Sequence, residues 1–239
     1  MSSNGIYTAL SGALAQSTAL DVTANNVANA STTGFQAERA RFTEALTKAK
    51  DAAYVKATAG GIDTSPGTVS ETGNPLDVAI SGDGYFGLNT AQGVRYTRAG
   101  AFRLDAQHQL VAADGSAVRG GNGKPIVIPA NAPSVRITGD GSVQAGDQIV
   151  GQLELTRFDP TQLQRAGAAD YMAAPGAKPL TGGPAPTLQT GALEGANFNV
   201  VHGMVDLVKQ TRSYEALHKM IETYKDIDDR AARGIAGNG

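Results

Sequence analysis

Residues 6–35 read IYTALSGALAQSTALDVTANNVANASTTGF, and the period of this stretch decides how the chain is organised. Ile6, Leu10, Ala13, Ser17, Leu20, Ala24 and Val27 follow one another by alternating steps of four and three, which predicts a helix with one narrow seam at the coiled-coil repeat. Gly34, soon after Asn29, is expected to stop that helix in the left-handed conformation. Before Arg39 only Asp21 and Glu38 are charged, and the remaining surface is Ala, Ser, Thr, Asn and Gly. A helix facing water normally carries Lys and Glu on its far side, so this one is expected to be surrounded by other protein. The alternative is an ordinary weak helix that frays in solution.

The same period returns at the other end of the chain. Asn197 or Asn199 can cap a helix in which Val200, Met204, Leu207, Thr211, Tyr214, Leu217, Ile221, Tyr224 and Ile227 recur every three or four residues. Two terminal helices with similar seams are expected to pair with one another and with copies of themselves. Residues 36–53 (QAERARFTEALTKAKDAA) are rich in helix formers and predict a short helix, followed to residue 75 by an extended linker interrupted by Gly60, Gly61, Pro66, Gly67, Gly73 and Pro75.

From Leu76 the period switches to two. Short alternating runs are separated by turn sequences at Gly82-Asp83-Gly84, Ala99-Gly100, Asp114-Gly115 and Gly139-Asp140-Gly141. Strands punctuated in this way predict an antiparallel β domain, closed by a Pro- and Gly-rich irregular loop over residues 173–190. The expected fold class is α+β. Residues 1–35 and 195–239 make a coiled-coil-like helical core, residues 36–75 a short helix and linker, and residues 76–194 an inserted β-rich domain.

Composition excludes several kinds of chemistry. Twenty basic against 22 acidic side chains leave a formal charge of −2, without the basic excess that nucleic-acid binding requires. No cysteine is present, so disulfides, thiolate metal ligation and thiol catalysis are all ruled out. No run approaches the ~18 apolar residues of a spanning helix, so no membrane insertion is expected. The positive start of a secretory signal is also missing, since the first basic residue is Arg39, and export without a cleaved signal is one expectation. His108, His202 and His218 have no neighbour at metal-ligand spacing, and Gly123-Lys124 fails as a phosphate loop because Pro125 stands where Ser or Thr belongs. No catalytic, cofactor-binding or metal-binding residue is therefore expected. A carboxylate pair drawn from Asp77, Asp83, Asp105 and Asp140 in a cell-wall-binding or cell-wall-acting β module is the rival reading from another class.

Five stretches carry a resemblance: Ile6–Gly12, Leu20–Phe35 with Asn25, Asn26, Asn29, Gly34 and Phe35, Asn74–Phe86 with Asp77, Gly82 and Gly84, Tyr96–Phe102 with Arg98 and Gly100, and Leu193–Val201 with Gly195 and Asn197. Taken in order they span essentially the whole chain, and the sequence resembles the bacterial flagellar basal-body rod and hook proteins. The length and the Ile-Tyr-Thr-Ala opening are most similar to the proximal rod members, with distal rod members second. The resemblance implies a structural subunit of the periplasmic rod that transmits torque and performs no bond chemistry. It further implies helical assembly with other rod proteins and with copies of itself, after passage through the flagellar export apparatus. The residues expected to join one subunit to the next are Ile6, Leu10, Leu14, Leu20 and Val27 near the N-terminus, and Val201, Met204, Val208, Tyr214, Leu217 and Ile221 near the C-terminus. The chain departs from the common pattern at Gly234–Gly239, where relatives finish on Leu-rich turns.

Overall fold

A computed structural model of the chain describes residues 2–47, 52–182 and 186–236. Its contacts divide the chain into two units: residues 1–28, 38–61 and 199–239 form one, and residues 29–37 and 62–198 the other. The chain therefore passes between the units at four points, after residues 28, 37, 61 and 198.

The first unit is built on helices α1 (Ser2–Ala28) and α2 (Val200–Ala236). Asn199 rather than Asn197 caps α2. Its side-chain oxygen accepts the His202 N–H at 3.0 Å and its carbonyl the Gly203 N–H at 3.0 Å. The helices run antiparallel. Gly5 lies against the Tyr224 ring, Gly12 against the Leu217 side chain, and Gln16 donates its amide to the Gln210 carbonyl at 3.4 Å. On α2 the less exposed described positions are Gly203, Leu207, Gln210, Tyr214, Leu217, Ile221, Tyr224 and Asp228, which step by four and three throughout.

Helix α1 departs from its expected seam. Its buried side chains are Ala9, Ala13, Ala15, Ala19 and Asn26, while Tyr7, Leu10 and Leu14 are exposed. Small residues allow close backbone approach within the unit, and that places the larger side chains outside. The Gly34 stop is also corrected, because the helix ends at Ala28 and a turn follows, closed by the Thr32 N–H on the Asn29 carbonyl at 2.9 Å.

The helix expected over residues 36–53 is replaced by a hairpin, β1 (Glu38–Thr47) and β2 (Ala52–Ile62), with residues 48–51 outside the described ones. Helix propensity differs by only tenths of a kcal/mol per residue among Ala, Glu, Lys and Arg, and a tertiary contact overrides it. The overriding contact is Asn26, whose amide donates to the Glu38 carbonyl at 2.7 Å and accepts the Glu38 N–H at 2.9 Å. An extended backbone offers both groups on one side of a residue, whereas a helix turns them into its own ladder.

The second unit continues the chain with β3 (Val69–Glu71), β4 (Val78–Ser81), β5 (Tyr85–Thr90), β6 (Gly93–Thr97), β7 (Arg103–Leu104), β8 (Leu110–Val111) and β9 (Ala117–Val118). After these come β10 (Val135–Ile137), β11 (Ser142–Ala145), β12 (Gln148–Gln152), β13 (Leu155–Thr156), β14 (Leu163–Arg165), β15 (Asp170–Ala173), β16 (Thr187–Thr190) and β17 (Ala192–Glu194). The main sheet has the order β14-β15-β6-β5-β9-β8-β7, and β13 also pairs with β5. Strands β10, β11 and β12 form a second sheet, and the pairs β16-β4 and β17-β3 bring the end of the β region back to its start. Every pairing among β3–β17 is antiparallel. The expected loop over 173–190 thus ends in a regular strand, β16. Val78, Ile80, Phe86, Leu88, Phe102, Leu110, Val118, Val143 and Leu153 make the main core, and Tyr85, Phe158, Leu163 and Tyr171 a smaller one.

Candidate functional site

The motif residues named from sequence come from distant parts of the chain, and within the second unit they converge on one buried arginine. Arg98 follows β6 and is 4 % exposed. Its Nε donates to Glu194 Oε2 at 2.7 Å, Nη1 to the carbonyls of Gly82 and Gly84 at 3.1 Å each, and Nη2 to the Ile80 carbonyl at 3.1 Å. The β4–β5 turn supplies these carbonyls because Gly82 adopts φ +100° and turns the backbone inward. Glu194 ends β17 and is 2 % exposed; its Oε1 accepts the Gly67 N–H at 3.0 Å and its carbonyl accepts the Gly34 N–H at 2.7 Å.

The backbones around Arg98 approach too closely for side chains. Gly34 holds φ +66°, and a Cβ there would overlap the backbone nitrogen of Ala99. A Cβ on Gly100 would overlap the Val78 carbonyl oxygen, while the Val78 N–H donates to the Gly100 carbonyl at 3.0 Å. Asp77 bridges to Ala101, and its carboxylate accepts the Thr72 hydroxyl at 2.7 Å and the Asn74 amide at 2.9 Å.

A second set of bonds holds the segments that leave this junction. Asn197 accepts the Ala37 N–H at 2.7 Å and donates to the carbonyls of Asp63 and Ser65 at 2.7 and 2.8 Å, binding two other stretches of chain with one side chain. The Gly195 N–H donates to the Thr68 carbonyl at 2.8 Å. Phe35 is buried under the Arg165 guanidinium, 4.7 Å from its ring centre, and Arg165 Nη2 donates to the Gln36 carbonyl at 2.6 Å. Tyr96 meets Phe158 edge to face at 4.6 Å.

Asn25, Asn26 and Asn29 belong elsewhere: Asn26 holds the hairpin, Asn25 lies exposed on α1, and Asn29 receives the Thr32 hydroxyl at 3.3 Å. Of the expected packing residues, Leu10, Leu14, Val201, Met204 and Val208 are exposed, whereas Ile6, Leu20, Val27, Tyr214, Leu217 and Ile221 are half-buried within the first unit. Sequence reasoning did not single out Glu194 or Gln36. The one signal for Glu194 was its position inside the Leu193–Val201 motif.

The carboxylates considered for chemistry are engaged in turns. Asp140 is held at about 2 by the hydroxyls of Thr138 and Ser142 and by the Ser142 N–H, so it stays ionised where a general acid must hold a proton. Among the described residues no group of three His, Asp or Glu is placed to hold a metal ion, and no helix is long and apolar enough to cross a membrane.

Asp170 on β15 behaves differently. Burial raises its pKa above the ordinary carboxylate value and nearby Asp114 adds to the rise, against Arg95 3.8 Å away. A folded-state value above the unfolded one means that the folded protein binds the proton more tightly, so the penalty this group carries at neutral pH is relieved as the pH falls through the folded value toward the unfolded one. Asp170→Asn is expected to raise the melting temperature at neutral pH and to flatten the gain otherwise seen on mild acidification. Melting curves of both proteins over that range measure it.

Three family profiles match the chain: "Flagella basal body rod protein" over residues 6–36, "Flagellar hook protein FlgE/F/G D1 domain" over 79–145, and "Flagellar basal body rod FlgEFG protein C-terminal" over 189–234. The chain is 32% identical over 236 residues to the flagellar basal-body rod protein FlgF of Mesorhizobium japonicum, covering 97% of this chain and 98% of the relative. It is 35% identical over 249 residues to FlgF of Escherichia coli, covering 96% of each. To FlgG of Bacillus subtilis it is 32% identical over 252 residues, covering 93% of this chain and 95% of the relative. The three matched segments hold α1 with Gly34, the part of the β unit that carries Arg98, and the return through Glu194 into α2, and the chain belongs to the family of bacterial flagellar basal-body rod proteins.

Proposed function

We propose that this structural rod subunit occupies the proximal rod and stacks helically through its paired terminal helices, the way the resemblance to proximal rod members implies. One observation carries the reading. Tyr7, Leu10 and Leu14 form an exposed apolar stripe on α1, while Val201, Met204, Val205 and Val208 form another on α2. Because the helices are antiparallel, with Gly12 beside Leu217 and Gln16 beside Gln210, the two stripes lie at different heights along the pair. A patch that meets a different patch on its neighbour makes a head-to-tail interface, and repetition of such an interface grows a filament rather than a closed dimer.

The four-three stepping of the α2 inner face, from Gly203 to Tyr224, supports a coiled-coil-like core. Other rod proteins and copies of this chain are the proposed neighbours, and the flagellar export apparatus the proposed route. The unpaired helices alone would be largely unfolded, which suits passage through a narrow channel. Stiffness of the helical core would transmit torque without bond chemistry.

Leu14→Asp tests the reading. Leu14 is 63 % exposed, so the substitution should leave helicity and melting temperature nearly unchanged. A charge buried between subunits costs several kcal/mol, and incorporation into rods should fall by at least about a hundredfold. Basal bodies purified from a strain carrying only the variant measure this, and normal incorporation would overturn the proposal.

A further inference from the structure

The chain crosses between its two units after residues 28, 37, 61 and 198, and three of these crossings share one root inside the β unit. The Asp63 N–H donates to the Ala37 carbonyl at 2.7 Å, and the Asn197 N–H to the Phe35 carbonyl at 3.2 Å. The Asn197 side chain closes the triangle. Its Oδ1 accepts the Ala37 N–H at 2.7 Å, and its Nδ2 donates to the carbonyls of Asp63 and Ser65 at 2.7 and 2.8 Å. Ala37, Asp63 and Asn197 each stand within two residues of a crossing.

Regular structure does not hold these segments. Residues 35–37, 63–68 and 195–199 lie in no helix or strand, so their N–H and C=O groups have no ladder to complete and a side chain answers them instead. An asparagine amide presents one acceptor oxygen and two donor hydrogens on a short stem, which is the set that the Ala37 N–H and the two carbonyls require. Aspartate keeps the acceptor and loses both donors. Alanine loses all three.

We infer that Asn197 is the positioning residue of the link between the units: it gathers three of the four crossings into one stem and keeps them from bending as independent linkers. Hinge motion needs a few residues free to change their backbone angles, and the amide bonds remove that freedom where the crossings leave the β unit. The stem deepens the torque-bearing reading above, on which its use rests, but it belongs to a single subunit and is tested there without assembly.

The test uses the isolated full-length chain. Because the sequence has no cysteine, spin labels attach only at introduced ones, Lys124→Cys in the β unit and Val205→Cys on α2, both at exposed positions. The label-to-label distance distribution is expected to broaden about twofold in Asn197→Ala and in Asn197→Asp. Hydrogen exchange separates the bonds: the Ala37 amide should exchange about tenfold faster in Asn197→Ala and stay protected in Asn197→Asp, which keeps its acceptor. Amides of β5 and β11 should exchange as in the parent in both variants. An unchanged distribution in Asn197→Ala would overturn the assignment, as would a parent distribution already as broad as the variant's. Faster exchange at β5 and β11 would overturn it too, since Asn197 would then support the core rather than the link.

Discussion

Arg98→Met should destabilise the folded chain by about 3–5 kcal/mol. Met occupies much of the same space, so the effect is electrostatic. The Glu194 carboxylate would remain buried with only the Gly67 N–H to meet it, and the carbonyls of Ile80, Gly82 and Gly84 would lose their donor together. Glu194→Leu should fall in the same range from the opposite side, leaving a buried guanidinium uncompensated. The double variant Arg98→Met with Glu194→Leu is expected to recover a substantial part of either loss, because a buried pair is replaced by apolar groups rather than broken. Urea unfolding of all four proteins gives the coupling energy. A coupling below about 0.5 kcal/mol would mean that the two groups act independently.

Gly34→Ala is the second large effect, and its cause is steric. At φ +66° a left-handed alanine costs about 1–2 kcal/mol before packing is considered. Its methyl group would also collide with the peptide between Arg98 and Ala99, where the obstacle is backbone and cannot rotate aside. Overpacking of this kind costs typically about 1–3 kcal/mol, so a total of about 2–5 kcal/mol is expected. Relief would require Gly34 to retreat from Glu194, breaking the 2.7 Å bond between them, and hydrogen exchange at the Gly34 amide should accelerate accordingly. Gly176→Ala, also at a positive φ (+84°) but in open space, should leave that amide's exchange unchanged.

These residues also mark where the sequence was readable. The terminal helices were legible because their seams repeat within a few residues, and the β region because turns such as Asp114-Gly115 sit between alternating strands. The hairpin β1-β2 was not, since its composition favours helix locally while the contact with Asn26 comes from twelve residues upstream. Gly34 showed a demand for positive φ but not its purpose, which is approach to Ala99 rather than termination of α1. The junction was half legible: Arg98 and its glycines lay within recognisable motifs, but the pairing with Glu194 spans 96 residues and has no local signature. Likewise the seam of α1 was drawn through Leu10, Ala13 and Leu20, whereas the fold buries Ala13 together with Ala9 and Ala19 and leaves Leu10 outside. Periodicity identifies a face, and packing geometry chooses which residues within it turn inward.

The pairing of α1 with α2 also orders events at the ribosome. Gly12 and Leu217 touch in the finished fold, so the first helix to emerge must wait about two hundred residues of translation for its companion. The β unit, whose residues 62–198 are nearly contiguous, can close in the meantime. A nascent chain broken off before residue 200 would therefore carry a well-formed β body and an α1 whose Ala- and Gly-rich inner face lacks its helical companion. Such fragments would be marked for proteolysis by a missing companion rather than by a misfolded core.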